Sequence, residues 1–155
     1  MADRKLIIFK LGNESYGVEI DVVQGIEKML PIVRIPNSVP HIQGIINLRG
    51  SIIPVLSLRN RFGLPEVPDT DTTEFLITNV SGTLLALKVD AVESIYDLAT
   101  AQIFETPRIV QTEETSYMKE VVLVENKRLI IELNTDNLLT SQEKEDLQKM
   151  LEEQQ

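Results

Sequence analysis

The side chains that most often carry catalysis are scarce in this chain of 155 residues, which has one histidine, His41, and no cysteine. A serine–histidine–carboxylate relay would have to use His41, and no Gly-x-Ser-x-Gly turn presents a serine to it. A zinc site takes about three or four nitrogen or sulfur ligands, which one imidazole does not supply. The sequence therefore predicts no catalytic residue, no metal and no cofactor, and we expect a protein that is not an enzyme.

Positive charge is concentrated in one part of an otherwise acidic chain. The formal net charge is −9, which argues against a nucleic-acid partner. From Lys28 to Arg61, however, there are five cations and no carboxylate. Such a stretch is either a set of solvated strand ends or a face that meets a polar or acidic protein. A third interpretation is a sensor module that binds a small molecule or an anion there.

Three residues near the centre of this stretch are the best candidates for contact with a partner. Gly44 lies in a strand, where glycine weakens a sheet unless the strand bulges or another backbone approaches closely. Gly50 lies in a turn, which favours a positive φ and a structural role. Arg49 sits between two very apolar strands, where it either pins the turn by hydrogen bonds to carbonyls or reaches a partner.

The elements that position these residues occur twice in the chain. The stretches at 42–56 (IQGIINLRGSIIPVL) and 118–133 (MKEVVLVENKRLIIEL) each read as an apolar strand, a polar turn and a second apolar strand. An earlier pair of runs also recurs, because with an offset of 69 residues Leu6 aligns with Phe75 and apolar positions match apolar positions. The same order of elements in both halves indicates a duplication.

Shorter signals suggest the remaining local structure. Residues 5–11 and 16–20 read as a hairpin. Asp21 is expected to N-cap a single helical turn, and Asp90 occupies the same place in the second copy. Residues 32–35 alternate in polarity and are expected to form a strand.

The C-terminus has the pattern of an amphipathic helix. Thr140 and Glu143 fit a capping box, and Leu147, Met150 and Leu151 form a narrow apolar stripe. Such a helix either packs on the rest of the fold, which we favour, or binds a partner.

Open sheets of about five short strands would leave bare edges, and closure into barrels removes those edges. We therefore predict an all-β fold with short helices, in which two five-stranded barrels lie side by side within one domain over 1–155. The subdomains are expected at about 16–68 and 74–138, with exchange of the N-terminal segment allowed. The C-terminal helix is expected over 139–155, and a short helix over 58–62.

The chain also lacks features of exported or membrane-inserted proteins. No cysteine is present to form a disulfide, and the apolar run near the N-terminus is too short for a signal peptide or a membrane span. We expect a cytoplasmic protein that does not insert into the membrane.

The run Asn47-Leu48-Arg49-Gly50, followed by Ile52-Ile53-Pro54-Val55, is similar to the signature of the CheW family of bacterial chemotaxis coupling proteins. Val33-Arg34-Ile35-Pro36 and His41-Ile42-Gln43-Gly44 agree with the same family. The resemblance extends over about residues 5–150, and its second-half motifs are less specific than this run.

This resemblance implies SH3-like barrels and a non-enzymatic adaptor. The adaptor would couple methyl-accepting chemoreceptors, in membrane-anchored arrays, to the regulatory domain of the histidine kinase CheA. Receptor-binding positions of the family match Val23, Gly44, Arg49 and Gly50 near a groove between the barrels, which Ile26 is also expected to line. The kinase-facing surface is assigned to the outer edge of the first barrel, around Leu30 and Ile32.

Three positions depart from the family pattern. Many members have an acidic residue in place of Gly25 and an aspartate in place of Ser57, and the second half lacks the usual glycine at Glu120. An ion pair that relatives make through position 25 or 57 is therefore in doubt here. The apolar pattern, and with it the predicted fold, is unaffected.

Overall fold

The computed structural model describes residues 4–36, 39–100, 102–105, 116–124 and 128–153. The strands of this described part are β1 (Lys5–Leu11), β2 (Glu14–Glu19), β3 (Val23–Lys28), β4 (Ile42–Leu48), β5 (Ser51–Ser57), β6 (Glu74–Val80), β7 (Thr83–Val89), β8 (Ala91–Asp97), β9 (Gln102–Glu105), β10 (Met118–Val124) and β11 (Arg128–Leu133). The helices are α1 (Leu58–Arg61) and α2 (Ser141–Glu153), with 3-10 turns at Ile20–Val22, Leu98–Thr100 and Thr135–Asn137.

The strands form two sheets that share one topology. The first sheet has the order β3-β6-β7-β5-β4, and the second has the order β8-β1-β2-β11-β10-β9. Each sheet contains one parallel contact, β5 with β7 and β11 with β2, and its other contacts are antiparallel. The predicted fold of two SH3-like β-barrels is confirmed, with the difference that β9 adds a sixth strand to the second.

The duplication is confirmed in the strand boundaries. β6 begins and ends 69 residues after β1, and β10 begins and ends 76 residues after β4. The turn at 125–127, between the two strands of the later repeat, lies outside the described residues.

The two halves of the chain exchange their first hairpins. The β1–β2 hairpin pairs with β8 and β11 from the second half, and the β6–β7 hairpin pairs with β3 and β5 from the first half. Sheet membership therefore crosses the boundaries 16–68 and 74–138, because each sheet takes a hairpin from one half and its remaining strands from the other. Neither half could complete a sheet alone.

Three apolar clusters hold the barrels together. One lies within the first barrel and includes Ile46, Val55 and Phe75, and another lies within the second and includes Leu6 and Val122. A larger central cluster joins both sheets and α2, with members Ile7, Phe9, Leu11, Leu56, Leu76, Leu87, Leu133, Leu147 and Met150. Because each fully buried side chain of this type contributes about 1.5–3 kcal/mol, the central cluster fixes one barrel against the other.

Strand β1 shows why the sequence has continuous apolar runs. Leu6 and Ile8 point into the core of the second barrel, whereas Ile7, Phe9 and Leu11 point into the central cluster. All five side chains are at most 2% exposed. A strand that is buried on both faces loses the alternation of apolar and polar residues that marks a surface strand.

The predicted capping box of α2 is confirmed. The Thr140 amide donates to Glu143 Oε1 at 2.8 Å, and the Glu143 amide donates to Thr140 Oγ1 at 3.1 Å. Leu147 and Met150 are buried in the central cluster. The apolar stripe of the helix therefore packs on the fold.

Other local expectations require correction. The helical turn exists at Ile20–Val22, but Asp21 lies within it, and Glu19 occupies the N-cap position without a side-chain hydrogen bond. Asp90 does not cap a helix either, because its carboxylate accepts hydrogen bonds from the Gly12 amide and from Arg59. In each copy the chain continues as an edge strand, β3 or β8, that the sequence analysis did not predict.

The strand expected at 32–35 is reduced to a single bridge between Val33 and Ile45. Pro31 and Pro36 flank this segment and have no N–H to extend the ladder. The short helix expected over 58–62 is confirmed as α1, and the chain leaves it through Gly63 at φ +75°.

Candidate protein-binding surface

The turn between β4 and β5 is a tight hairpin with a side-chain brace. Arg49 has φ +50° and Gly50 has φ +90°, which is the pattern of a type I′ turn. The Gly50 amide donates to Asn47 Oδ1 at 2.8 Å. The β6–β7 turn has the same side-chain brace, because the Gly82 amide donates to Asn79 Oδ1 at 2.9 Å. Gly50 therefore has a clear structural role.

The Arg49 side chain leaves the turn and reaches a neighbouring strand. Its guanidinium lies 2.8 Å from Glu27 Oε1, and its side chain is 75% exposed, against 22% for Glu27. The sequence left open whether Arg49 pins its turn through carbonyls or meets a partner. In the structure it forms one ion pair across the barrel edge and presents the rest of its guanidinium to solvent.

Glu27 is a site residue that the sequence analysis missed. Burial alternates along β3, so that Val23, Gly25 and Glu27 share the more buried face. Position 25 is a glycine, and the carboxylate beside Arg49 comes from Glu27, the next position on the same face. The period of two in a strand places Glu27 on the face of Gly25, but only the folded chain brings that face to Arg49.

The Arg49–Glu27 pair borders an open cavity of about 330 Å³ at one mouth of the first barrel. Gly25, Leu48 and Ile53 also line this cavity. A Cβ added at Gly25 would meet no atom within 4 Å, so the glycine leaves space in the cavity wall.

The structure divides the predicted receptor-binding residues between the two faces of β3. Val23 is half-buried and packs against the central cluster, whereas Ile26 lies on the opposite face and is 39% exposed. Arg49 and Gly50 lie together at the turn, on the same side of the barrel as Glu27.

Gly44 is buried against the chain itself. A Cβ at this position would lie 2.3 Å from the carbonyl oxygen of Val33 and 3.0 Å from Ile32 Cγ2. The pairing of β4 with β5 also shifts register between Ile42 and Gly44. Both structural explanations raised from the sequence, a bulge and a close backbone, therefore apply to Gly44.

The residues assigned to a kinase-facing edge lie in the segment that follows β3. Leu30 and Ile32 are half-buried and pack on the core of the first barrel, together with Met29. Val33, next along the chain, is 57% exposed. This apolar edge, defined by Leu30, Ile32 and Val33, contacts the middle of β4 through the Val33–Ile45 bridge, whereas Arg49 follows the end of that strand.

Ser57 and Glu120 have roles of their own in this chain. Ser57 is buried, its hydroxyl donates to Glu66, and its oxygen caps α1 by accepting from the Asn60 amide. Glu120 lies 3.4 Å from Arg4 in a cluster of charges at one end of the second barrel.

Glu132 is the buried member of this charge cluster, with a side chain that is 0% exposed. Arg4 donates to both of its carboxylate oxygens, at 2.8 and 3.0 Å, and Lys119 lies 3.3 Å away. Burial raises the pKa of Glu132 in spite of these two cations. Burial also opposes the ionisation of Glu19, but Lys119 and Arg4 outweigh it and lower the pKa of Glu19. The cluster ties the N-terminal segment to β10 and β11.

Two further observations concern the described residues alone. None of their helices has the length and apolarity that a bilayer crossing requires. They also contain no group of three or more histidine, cysteine or acidic side chains placed to hold a metal ion.

Comparison with known proteins identifies the class to which this two-barrel fold belongs. A family model described as a CheW-like domain matches residues 5–143. The chemotaxis protein CheW of Klebsiella aerogenes is 32% identical over 140 residues, which cover 90% of this chain and 84% of the relative. The corresponding protein of Bacillus subtilis is 33% identical over 131 residues, with 84% of each chain covered.

The same relationship holds among solved structures. The scaffolding protein TtCheW of Thermoanaerobacter tengcongensis superposes with a TM-score of 0.80 at 31% identity, and the match covers 88% of this chain and 92% of that one. The fold is thus that of the chemotaxis scaffold proteins. The chain belongs to the CheW family, and these comparisons give no support to the small-molecule or anion sensor considered from the sequence.

Proposed function

We propose that this chain is a non-enzymatic adaptor that couples the cytoplasmic tips of chemoreceptors to the regulatory domain of the histidine kinase CheA. It would act in the cytoplasm, beside receptor arrays that are anchored in the membrane. The observation that carries the proposal is the presence of two different exposed surfaces on the first barrel of a scaffold fold. One is the polar mouth at Arg49 and Glu27, and the other is the apolar edge at Leu30, Ile32 and Val33.

The polar mouth fits the end of a receptor helix. An amphipathic helix binds a groove through apolar anchors, and polar contacts at the rim set its register. Ile26 supplies exposed apolar surface on β3, and the exposed guanidinium of Arg49 supplies the polar contact, whereas Val23 packs on the central cluster from the opposite face of the strand. We assign the receptor to Ile26, Arg49 and Gly50, with Val23 supporting β3 and Gly44 shaping β4 from within.

The apolar edge fits a second β-barrel, such as the regulatory domain of the kinase. Neither contact has to be tight, because an array presents many weak links at high effective concentration. Signalling would then pass as a change in how the two partners are held, without any bond being made or broken on this chain.

Charge reversal at Arg49 tests the receptor surface. Arg49→Glu places two carboxylates beside each other at the mouth and should weaken binding of a receptor-tip fragment by roughly tenfold or more. Because Arg49 is 75% exposed, the melting temperature should change little. Binding of the kinase regulatory fragment should be retained.

A matched variant tests the other surface. Leu30 and Ile32 pack on the core, so a charge there would unfold the barrel, whereas Val33 is 57% exposed. Val33→Asp should therefore weaken the kinase fragment and spare the receptor fragment. Equal losses in both assays for either variant would show that the two surfaces are not separate.

A further inference from the structure

Among the strands that the structure describes, the chain passes from one barrel to the other twice. The first crossing leads from β2 to β3 through the 3-10 turn at Ile20–Val22, and the second leads from β7 to β8 through Asp90. The β1–β2 hairpin therefore depends on one short connection, at Ile20–Val22, to reach its place in the second barrel.

The turn at Ile20–Val22 is suited to open into an extended strand. Glu19 (φ −63°, ψ 136°) and Val23 (φ −99°, ψ 120°), on either side of it, already have extended backbone. The Glu19 side chain does not cap the turn, and none of the three residues in the turn is buried. Ile20 and Val22 are β-branched and favour extended backbone. A change of backbone angles at three residues would thus join β2 and β3 into one continuous strand.

The second crossing is held more firmly, and by groups outside the β1–β2 hairpin. Arg59 of α1 donates to the Asp90 carboxylate at 2.9 Å, and the Thr72 hydroxyl donates to the Asp90 carbonyl oxygen at 2.9 Å. These contacts remain when the hairpin leaves. The crossing that can open is therefore the one at Ile20–Val22.

A second copy of this chain is the partner that restores every contact of a detached hairpin. The apolar side chains of β1 fill the second barrel and the central cluster, and each is at most 2% exposed: Leu6, Ile7, Ile8, Phe9 and Leu11. Arg4, just before β1, binds the buried Glu132 of β11. Since the place that the hairpin leaves is identical in the other copy, exchange re-forms these contacts, and its main cost is the freedom that two molecules lose on association.

We propose that the β1–β2 hairpin can be exchanged between two copies of this chain, with Ile20–Val22 as the hinge. In the closed monomer β1 pairs with β8 of its own chain, and in the exchanged dimer it pairs with β8 of the other copy. The dimer carries two polar mouths and two apolar edges on one particle. This inference goes beyond the proposed function and does not depend on it, because no receptor or kinase takes part.

A disulfide between copies tests the exchange directly, because this sequence has no cysteine. Lys5 and Asp97 are exposed and lie opposite each other on β1 and β8, and residues paired in this way are within reach of a disulfide. Chains with Lys5→Cys and chains with Asp97→Cys are mixed in urea near the unfolding midpoint, returned to buffer and oxidised. We expect a mixed covalent dimer, identified by its mass. While it is a minor species, its fraction should rise about tenfold for a tenfold higher protein concentration.

Asp71→Cys provides the matched control. Asp71 is also an exposed aspartate, but it lies before β6 and outside the strands that pair with β1. Its mixture with Lys5→Cys should yield roughly tenfold less mixed dimer, because only chance collisions join the two cysteines. Equal yields from the two mixtures, or no mixed dimer from Lys5→Cys with Asp97→Cys, would overturn the proposal.

The length of the hinge tests its role. A shortened hinge favours exchange, because the chain can no longer turn back on itself, and a longer hinge favours the monomer. Deletion of Asp21 and Val22 should therefore give mostly dimer by size-exclusion chromatography with light scattering. Insertion of Gly-Ser after Asp21 should give monomer. Both changes are of two residues and keep the faces of β3.

A folded monomer from the deletion variant would show that Ile20–Val22 is not the hinge. If the deletion variant does not fold, the insertion decides, when it is added to the chains with Lys5→Cys and Asp97→Cys. The longer hinge should reduce the yield of mixed disulfide severalfold, and an unchanged yield would contradict the assignment of the hinge.

Discussion

Asp90 joins three parts of the chain that are distant in sequence. Its carboxylate accepts hydrogen bonds from the Gly12 amide at 2.7 Å and from Arg59 Nε at 2.9 Å. Its carbonyl oxygen accepts from the Thr72 hydroxyl at 2.9 Å. Asp90, just before β8, therefore holds the β1–β2 turn, α1 and the segment before β6 together, and the hydrogen bonds with Arg59 lower the pKa of Asp90.

Asp90→Asn should destabilise the fold by about 1–2 kcal/mol, because a charged hydrogen bond is replaced by a neutral one at a partly exposed site. The folded pKa lies below the ordinary value of 3.8, so the stabilisation is present above that value and is lost as the pH falls through the folded pKa. Urea unfolding from pH 7 to pH 2 should show that the variant loses less stability in acid than the wild type does.

Asp69→Asn provides the comparison for this measurement. Asp69 also forms an ion pair, with Lys88 at 2.6 Å, but its side chain is 44% exposed. Its replacement should cost less than about 1 kcal/mol at neutral pH. Parallel acid curves for the wild type and Asp90→Asn would contradict the role assigned to Asp90.

Some residues of the site can be predicted from the sequence, and others cannot. The Asn-Leu-Arg-Gly turn can be predicted because asparagine and glycine favour the backbone angles and hydrogen bonds of a tight hairpin turn. Glu27 is hidden, because its relation to Arg49 depends on the pairing of strands that are far apart in the chain.

Among the elements, the strands of the repeated hairpins are predictable, and the edge strands β3 and β8 are not. β1 and β6 contain short apolar runs, at 6–9 and 75–77, that are buried on both faces. β3 and β8 are edge strands that expose Ile26 and Ile95, while the inward position between Ile26 and Lys28 is held by Glu27. With apolar residues on the exposed face and an acidic residue on the inner face, the strand lacks the pattern of inward apolar and outward polar residues by which a surface strand is recognised.

The packing of the C-terminal helix predicts the effect of a mutation in it. Leu147 is 3% exposed in the central cluster, so Leu147→Ala should lower the free energy of unfolding by about 2–5 kcal/mol. The folded fraction should bind the receptor and kinase fragments with unchanged affinity, because α2 contributes packing rather than a docking surface. A folded variant that loses either partner would instead identify α2 as a partner helix.

At the scale of the whole molecule, the exchanged hairpins make the two barrels one structural unit. Each sheet contains strands from both halves, and the central cluster takes side chains from both sheets and from α2. A cut between the halves would remove a hairpin from each sheet. The fold therefore holds the polar mouth and the apolar edge at a fixed spacing, as a scaffold requires.

The exchange itself could be foreseen only in part. A repeat in the sequence indicates two similar units, and exchange of the N-terminal segment is compatible with that repeat. Which hairpin completes which sheet depends on the length and path of the connection between the halves. The two topologies bury the same apolar runs, so the hydrophobic pattern does not distinguish them.

The central claim is that one folded chain holds two partners at once on separate surfaces. The most direct test is an amide chemical-shift map in which a receptor-tip fragment and a kinase regulatory fragment are added in turn and then together. We expect two footprints, one around Arg49, Gly50 and Glu27 and the other around Leu30, Ile32 and Val33, and both should persist when the two fragments are present. Displacement of one fragment by the other from a common footprint would contradict the account.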